Sequence, residues 1–163
     1  MSAVLRQIRT RPYALAALAA LTAALVVLGA GLAPGIRLGA WGFAWQVLTG
    51  SALFGAVAWQ WQLFLARLSG PAASVQRHYS LHRLVGAATA ALFAAHAVRF
   101  GYGWTSALSL SFLALAASGL MNREIMRYRA TWAYNLWLFL HVALSAALVP
   151  LALVHVWVAL AYE

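Results

Sequence analysis

Four of the five histidines in this chain fall into two pairs with the same internal spacing. His82 and His96 lie fourteen residues apart in one apolar segment, and His141 and His155 lie fourteen apart in another. In a helix, fourteen residues are four turns less about 40°, a rise of roughly 21 Å, so both members of a pair share one face. One predicted span separates the two segments, so they run in the same direction. His82 is then expected to face His141 at one level, and His96 to face His155 at another. A neutral imidazole facing a second imidazole across a gap is what axial ligation of a haem iron requires. Two such levels predict two stacked b-type haems, with all four histidines as iron ligands.

Neighbouring residues suit the same arrangement. Gly86, one turn after His82, offers a bare helix surface to a porphyrin, and Thr89 and Leu148 fall midway between the two levels. Arg83 and Arg77 at one end, and Arg99 at the other, are candidates to pair with haem propionates. Arg77 and Arg83 are equally explained as topology determinants. His78 also shares a face with His96, at eighteen residues, but only His82 reproduces the spacing of the second pair. His78 is therefore read as an interfacial residue, with substitution for His82 left open. Pro150, between His141 and His155, is either an ordinary kink or a device that tilts the outer ligand. The serines of the fourth span (Ser106, Ser109, Ser111 and Ser118) read as helix-packing polarity.

Other chemistries compete for the histidines. A single membrane histidine is often a hydrogen-bonded packing residue. A zinc site would need its nitrogens about 2 Å from one metal, which helical rise forbids within each pair. A proton relay usually recruits Asp or Glu, and none lies in these spans.

The elements that must carry these residues are apolar. A membrane helix needs about 20 apolar residues, and five such spans are predicted, near residues 13–33, 43–66, 81–100, 106–121 and 132–162. Pro34–Gly35, Gly70–Pro71 and the glycines Gly101 and Gly103 punctuate them. Tryptophans 41, 45, 59, 61, 104, 132 and 157 gather near the predicted ends, as an interfacial belt requires. Nine arginines (6, 9, 11, 67, 77, 83, 123, 127 and 129) lie on one side of this alternation, and only Arg37 and Arg99 lie on the other. That asymmetry puts the N-terminus in the cytoplasm and the C-terminus on the periplasmic or extracellular side. The start, with Arg6 to Arg11 before an apolar run and Gly29-Ala30-Gly31, has the outline of a signal peptide. Its apolar run is longer than a usual signal core, and the segment is expected to be retained.

Composition excludes most other classes. Of 163 residues, 65% are hydrophobic and 8% charged, and the mean hydropathy is +0.83. A soluble domain carries roughly 45–50% apolar and about 25% charged residues, so this chain is expected in a bilayer and not as a cytosolic enzyme or a nucleic-acid-binding module. The net charge of +9 comes from arginines lying between the apolar segments, with Glu124 and Glu163 the only acids. With no cysteine in the chain, disulfides, thiolate metal sites, iron–sulfur clusters and thioether-linked haem are excluded. The expected fold is all-α: a single integral-membrane domain over residues 1–163, built as a five-helix bundle and most at home in a bacterial inner membrane.

On these residues the sequence resembles the ferric reductase-like transmembrane domain family. That family includes ferric reductases, the membrane part of NADPH oxidases and the haem-binding membrane subunit of the periplasmic methionine-sulfoxide reductase system. The resemblance covers roughly residues 40–160. It rests on Leu81-His82-Arg83-Leu84-Val85-Gly86 with His96, on Ser118-Gly119-Leu120 before the basic loop, and on Trp137-Leu138-Phe139-Leu140-His141 with His155. It implies that His82 and His141 hold an inner haem b and His96 and His155 an outer one, carrying electrons from the cytoplasmic to the outer face. Members commonly have a sixth helix, where five are predicted here, and many carry a flavin- and NADPH-binding domain. No G-x-G-x-x-G pattern occurs in this chain, so NADPH oxidation is expected to need a partner.

The resulting expectation is an oxidoreductase component that works with partners in the lipid bilayer. Its donor would be a separate cytoplasmic flavin reductase, and its acceptor a ferric chelate, oxygen or a periplasmic reductase protein. Family analogy admits a bound FMN or FAD, for which no residue argues. A quinol-linked cytochrome b is the alternative within electron transfer. A haem-free structural subunit or small proton-handling transporter is the alternative from another class.

Overall fold

The computed structural model describes residues 10–32, 38–98 and 100–162. Among them there is no strand, and the chain is all-α. In chain order the helices are α1 (Pro12–Gly29), a 3-10 turn (Gly39–Trp41), α2 (Gly42–Gln60), α3 (Gln62–Ser69), α4 (Ala72–His96), α5 (Trp104–Leu120), α6 (Arg123–Met126) and α7 (Thr131–Ala161). They form two compact units, one spanning Arg11–Arg99 and the other including Phe100–Glu163.

In the first unit α4 is the central element, against which α1, α2 and α3 pack. The α1 face is a stripe of Ala14, Leu21, Ala24 and Leu28, and the two alanines are fully buried. On α4 the buried residues are Ala87, Thr89, Ala90 and Phe93. Small side chains on facing helices let backbones approach closely, which is how apolar helices associate when burial from water offers no driving force. Arg83 ties the same pair of helices together. Its guanidinium lies 4.6 Å from the Tyr13 ring centre on α1 and 4.5 Å from that of Tyr79, one turn back on α4. Cation–π attraction of this kind grows as water is excluded.

The second unit is the helical hairpin of α5 and α7, joined through α6. Gly101 and Gly103 turn the chain into α5 with φ of +77° and +57°, a region that side-chain-bearing residues rarely adopt. At the other end Asn122 caps α6: its side-chain oxygen accepts from the Glu124 and Ile125 amides at 3.0 and 3.3 Å, and its amide donates to the Gly119 carbonyl at 3.0 Å. Tyr128 donates to the Met121 carbonyl at 2.6 Å, and burial pushes its phenol pKa up, which keeps the proton in that bond. Because Asn122 is buried and fully engaged, Asn122→Ala is expected to lower stability by about 1–2 kcal/mol. The thermal midpoint of the detergent-solubilised chain measures this, and an unchanged midpoint would show that the cap contributes nothing.

Two helices, α1 and α7, are long and apolar enough to cross a membrane, and α5, at 17 residues, is apolar but shorter. At 31 residues α7 extends roughly 46 Å and runs through Pro150 without interruption. The helix bounds differ from the predicted spans in three places. The predicted span 13–33 ends as a helix at Gly29, and Ala33, Pro34 and Gly35 lie outside the described residues. The predicted span 43–66 is broken at Trp61, whose amide closes a tight turn onto the Ala58 carbonyl at 3.2 Å before α3 begins. The break falls between two glutamines, Gln60 and Gln62, and neither Gly nor Pro marks it. The predicted span 81–100 is a helix from Ala72 to His96. Its first nine residues are helical but polar, with Pro71 preceding the first turn, where its missing N–H costs nothing. Spans four and five differ by one or two residues at each end.

Candidate functional site

Each predicted histidine pair lies on one unbroken helix, His82 and His96 on α4 and His141 and His155 on α7, so the fourteen-residue interval is a real helical interval in both. All four rings are partly buried, and Thr89 and Leu148, the midpoint residues, are buried. Leu148 is the only buried residue described on α7.

His96 is the last residue of α4, and α2 receives it. Its Nδ1 lies 3.1 Å from the Gln46 carbonyl and 3.3 Å from Thr49 Oγ1. A carbonyl only accepts, so Nδ1 carries the proton and the lone pair resides on Nε2. The Thr49 hydroxyl donates to the Trp45 carbonyl at 2.7 Å, which leaves its oxygen as a second, longer acceptor. Trp45 in turn donates from Nε1 to the Ala95 carbonyl at 2.8 Å, pinning the end of α4 beside the ring. Gly50 completes the receptacle, since a Cβ there would lie 2.8 Å from His96 Cε1.

His141 is held in the same way by α5. Ser118 Oγ lies 2.7 Å from His141 Nδ1 and donates to the Leu115 carbonyl at 2.7 Å. With its single proton committed to its own helix, the hydroxyl oxygen accepts from Nδ1–H, and the lone pair is again on Nε2. Trp137 stacks on the other side of the ring at 5.7 Å and 20°, and its Nε1 donates to the Ser118 carbonyl at 2.8 Å. Gly119 leaves ordinary contact distance, 3.8 Å, to His141 Cε1.

The remaining histidines are supported differently. His82 has the Gln60 backbone at the α2–α3 break as a hydrogen-bond partner. The Gln60 side chain also lies over Gly86, where a Cβ would be 3.5 Å from Oε1. The bare surface at Gly86 is therefore faced by a flexible amide. His155 lies 5.5 Å from Trp104 at the start of α5. His78 has its Nδ1 2.8 Å from the Ser74 carbonyl one turn earlier on its own helix. Arg99 lies outside the described residues.

No family model, curated protein or solved structure matches this chain. The chemistry must be read from its own residues. Among the described residues no three His, Cys, Asp or Glu side chains gather into a group that could hold a metal ion. Axial ligation of a haem iron needs two imidazoles and no such cluster, because the porphyrin supplies the other four nitrogens.

Those two imidazoles must be neutral and must present an unprotonated nitrogen. The hydrogen bonds at His96 and His141 place the proton of the neutral ring on Nδ1, which puts the lone pair on Nε2, the outer ring nitrogen. These residues therefore fit the group. The supporting residues Gln46, Thr49 and Gly50 escaped the sequence reading. A backbone carbonyl has no side-chain signature, and the small run Thr49-Gly50-Ser51 signals close helix approach without naming what approaches. In the sequence Ser118 reads as packing polarity and as part of the Ser118-Gly119-Leu120 motif, neither of which names His141 as its partner.

Proposed function

We propose that this chain is a five-span membrane cytochrome b of the ferric reductase-like kind, in which His82, His96, His141 and His155 hold two haems b. The observation that supports the reading is the placement of Nδ1 at His96 and at His141 against acceptors on a neighbouring helix, an orientation that suits ligation through Nε2. In this reading His82 is assigned with His141, and His96 with His155, on the strength of the equal fourteen-residue spacing in the sequence. The four histidines would hold the haems, which would supply one-electron Fe(III)/Fe(II) couples suited to passing electrons from a cytoplasmic-side flavoprotein to a ferric chelate, oxygen or a reductase protein outside.

The protein's part is to bind, orient and insulate. With two imidazoles at each level, His82 with His141 and His96 with His155, the bound group would be suited to electron transfer more than to binding oxygen. Arg83 has its guanidinium carbon over the Tyr13 and Tyr79 rings, 4.6 and 4.5 Å from their centres. Arg83 and Arg99 are the propionate partners in this reading, on the inner and outer sides respectively. Thr89 and Leu148 are the midpoint residues of this reading, and Thr89 spends its hydroxyl proton on the Gly86 carbonyl at 2.8 Å. The arginine asymmetry sets the N-terminus in the cytoplasm, and an inner bacterial membrane is the compartment that suits this orientation.

A reduced-minus-oxidised absorption spectrum of the detergent-purified chain, with haem counted per polypeptide, tests the reading. Two b-type haems per chain are expected. A preparation that stays colourless after haem supplementation would overturn it in favour of a haem-free subunit. Reduction by a quinol with no flavoprotein present would move the donor into the lipid phase.

A further inference from the structure

α5 does more in this hairpin than pack against α7. We infer that Ser118 is a positioning residue for His141, fixing its tautomer and aiming Nε2 through the Nδ1–H to Oγ hydrogen bond. The inference rests on the bis-haem reading for its consequence, and on geometry alone for its first step.

That geometry leaves little freedom. A serine hydroxyl has one proton and two lone pairs. Ser118 Oγ lies 2.7 Å from both the Leu115 carbonyl and His141 Nδ1. The carbonyl can only accept, so the hydroxyl proton goes there, and Nδ1 must bring its own. Trp137 closes the arrangement from both ends, stacking on the imidazole face while donating to the backbone of Ser118 itself. The ring is thus fixed in rotation by Ser118 and in tilt by Trp137. Thr49 repeats the device at His96, with its hydroxyl committed to the Trp45 carbonyl and its oxygen turned to Nδ1. There the distance is 3.3 Å and the Gln46 carbonyl, at 3.1 Å, is the nearer acceptor. Each proposed level therefore has one imidazole that a hydroxyl on a neighbouring helix helps to lock, His141 inner and His96 outer.

A partner on the far nitrogen of a ligating histidine raises its basicity and fixes its orientation, and removing such a partner typically costs 10–100-fold in metal affinity. Ser118→Ala is expected to weaken haem binding at the His141 level about tenfold or more. It should also shift the midpoint potential of that haem upward and leave the other unmoved, because a less basic imidazole stabilises ferric iron less. Ser118→Thr, which keeps the hydroxyl, should restore both. Thr49→Val should act on the other haem and more weakly, since the Gln46 carbonyl remains.

The experiment has two arms. In the haem-free chain, nitrogen-15 NMR of the imidazoles should find the Nδ1–H form at His141, lost in Ser118→Ala. The Nε2–H form at His141 in the unsubstituted chain would overturn the inference whether or not haem binds. In the haem-loaded chain, potentiometric titration should show one of two midpoints moving in Ser118→Ala. Wild-type midpoints and affinity in that variant would overturn the inference while leaving the bis-haem reading intact. A chain that takes up no haem but keeps the Nδ1–H form would sink the bis-haem reading and leave Ser118 as the group that sets the tautomer.

Discussion

Replacing His82 by Ala is expected to remove one of two haems, and replacing His141 by Ala to remove the same one. A bis-imidazole iron that loses one axial ligand is left with an open position and half its protein attachment, so occupancy at that level should fall from one toward zero. The informative step is the pairing. If His82 and His141 serve one iron, the double variant should retain one haem per chain, no fewer than either single variant, because the second substitution removes a ligand to a site already empty. The combination of His82→Ala with His96→Ala, which draws on both levels, should be colourless. Such non-additivity within a level and additivity across levels is the signature of shared partners. The measurement is haem per polypeptide by pyridine haemochrome, with far-ultraviolet circular dichroism to confirm that helices persist. Four single variants that each retain both haems would refute ligation. Retention of two haems in His82→Ala with loss in His78→Ala would transfer the role one turn along α4, where the His78 ring makes its own hydrogen bond to the Ser74 carbonyl.

The histidines were legible in the sequence because their side chains are the chemistry and their interval is a property of helices. The bounds of α5 and α7 were legible because both are apolar throughout, so hydropathy and helicity end together. They part company at α4, where Ala72 to Ser80 is helical without being apolar. They part again at Trp61, where the helix is interrupted between Gln60 and Gln62 with no Gly or Pro to mark it. What orients these histidines was mostly hidden. The Gln46 carbonyl is identical to any other carbonyl in the chain, and its use by His96 follows only from how α2 lies along α4. Ser118 and Gly119 stood in the sequence as a small pair before a basic loop. Only the hairpin shows that one accepts from His141 and the other clears space for it. Arg83 reads from sequence as a topology charge or a propionate partner, and the structure adds a third use, a cation held between Tyr13 and Tyr79.

Gly50→Ala is expected to cost the outer level most of its haem. An added Cβ would lie 2.8 Å from His96 Cε1, closer than such atoms approach, and 3.2 Å from Nδ1, a tight contact, so something must move. In an open site the imidazole would swing aside at little cost. Here it is tied to the Gln46 carbonyl and Thr49, and its helix end is pinned by the Trp45 bond to Ala95, so relief for Gly50→Ala comes by breaking the contacts that aim Nε2. Overpacking of a closed contact costs about 1–3 kcal/mol, and here that cost falls on ligand geometry as well as on stability. Two other glycines serve as internal controls. At Gly55 an added Cβ meets nothing within 4 Å, and at Gly119 it meets His141 Cε1 at 3.8 Å, an ordinary contact. Gly55→Ala should leave both haems in place and stabilise the helix slightly, since alanine is the better helix former. Gly119→Ala should be close to neutral. Haem content and the two midpoint potentials across the three variants form the measurement. Loss confined to Gly50→Ala, at the level that His96→Ala also empties, would establish α2 as the receptacle of the outer ligand. Equal tolerance of all three would show that the His96 ring has room to move and that its hydrogen bonds to α2 do not govern ligation.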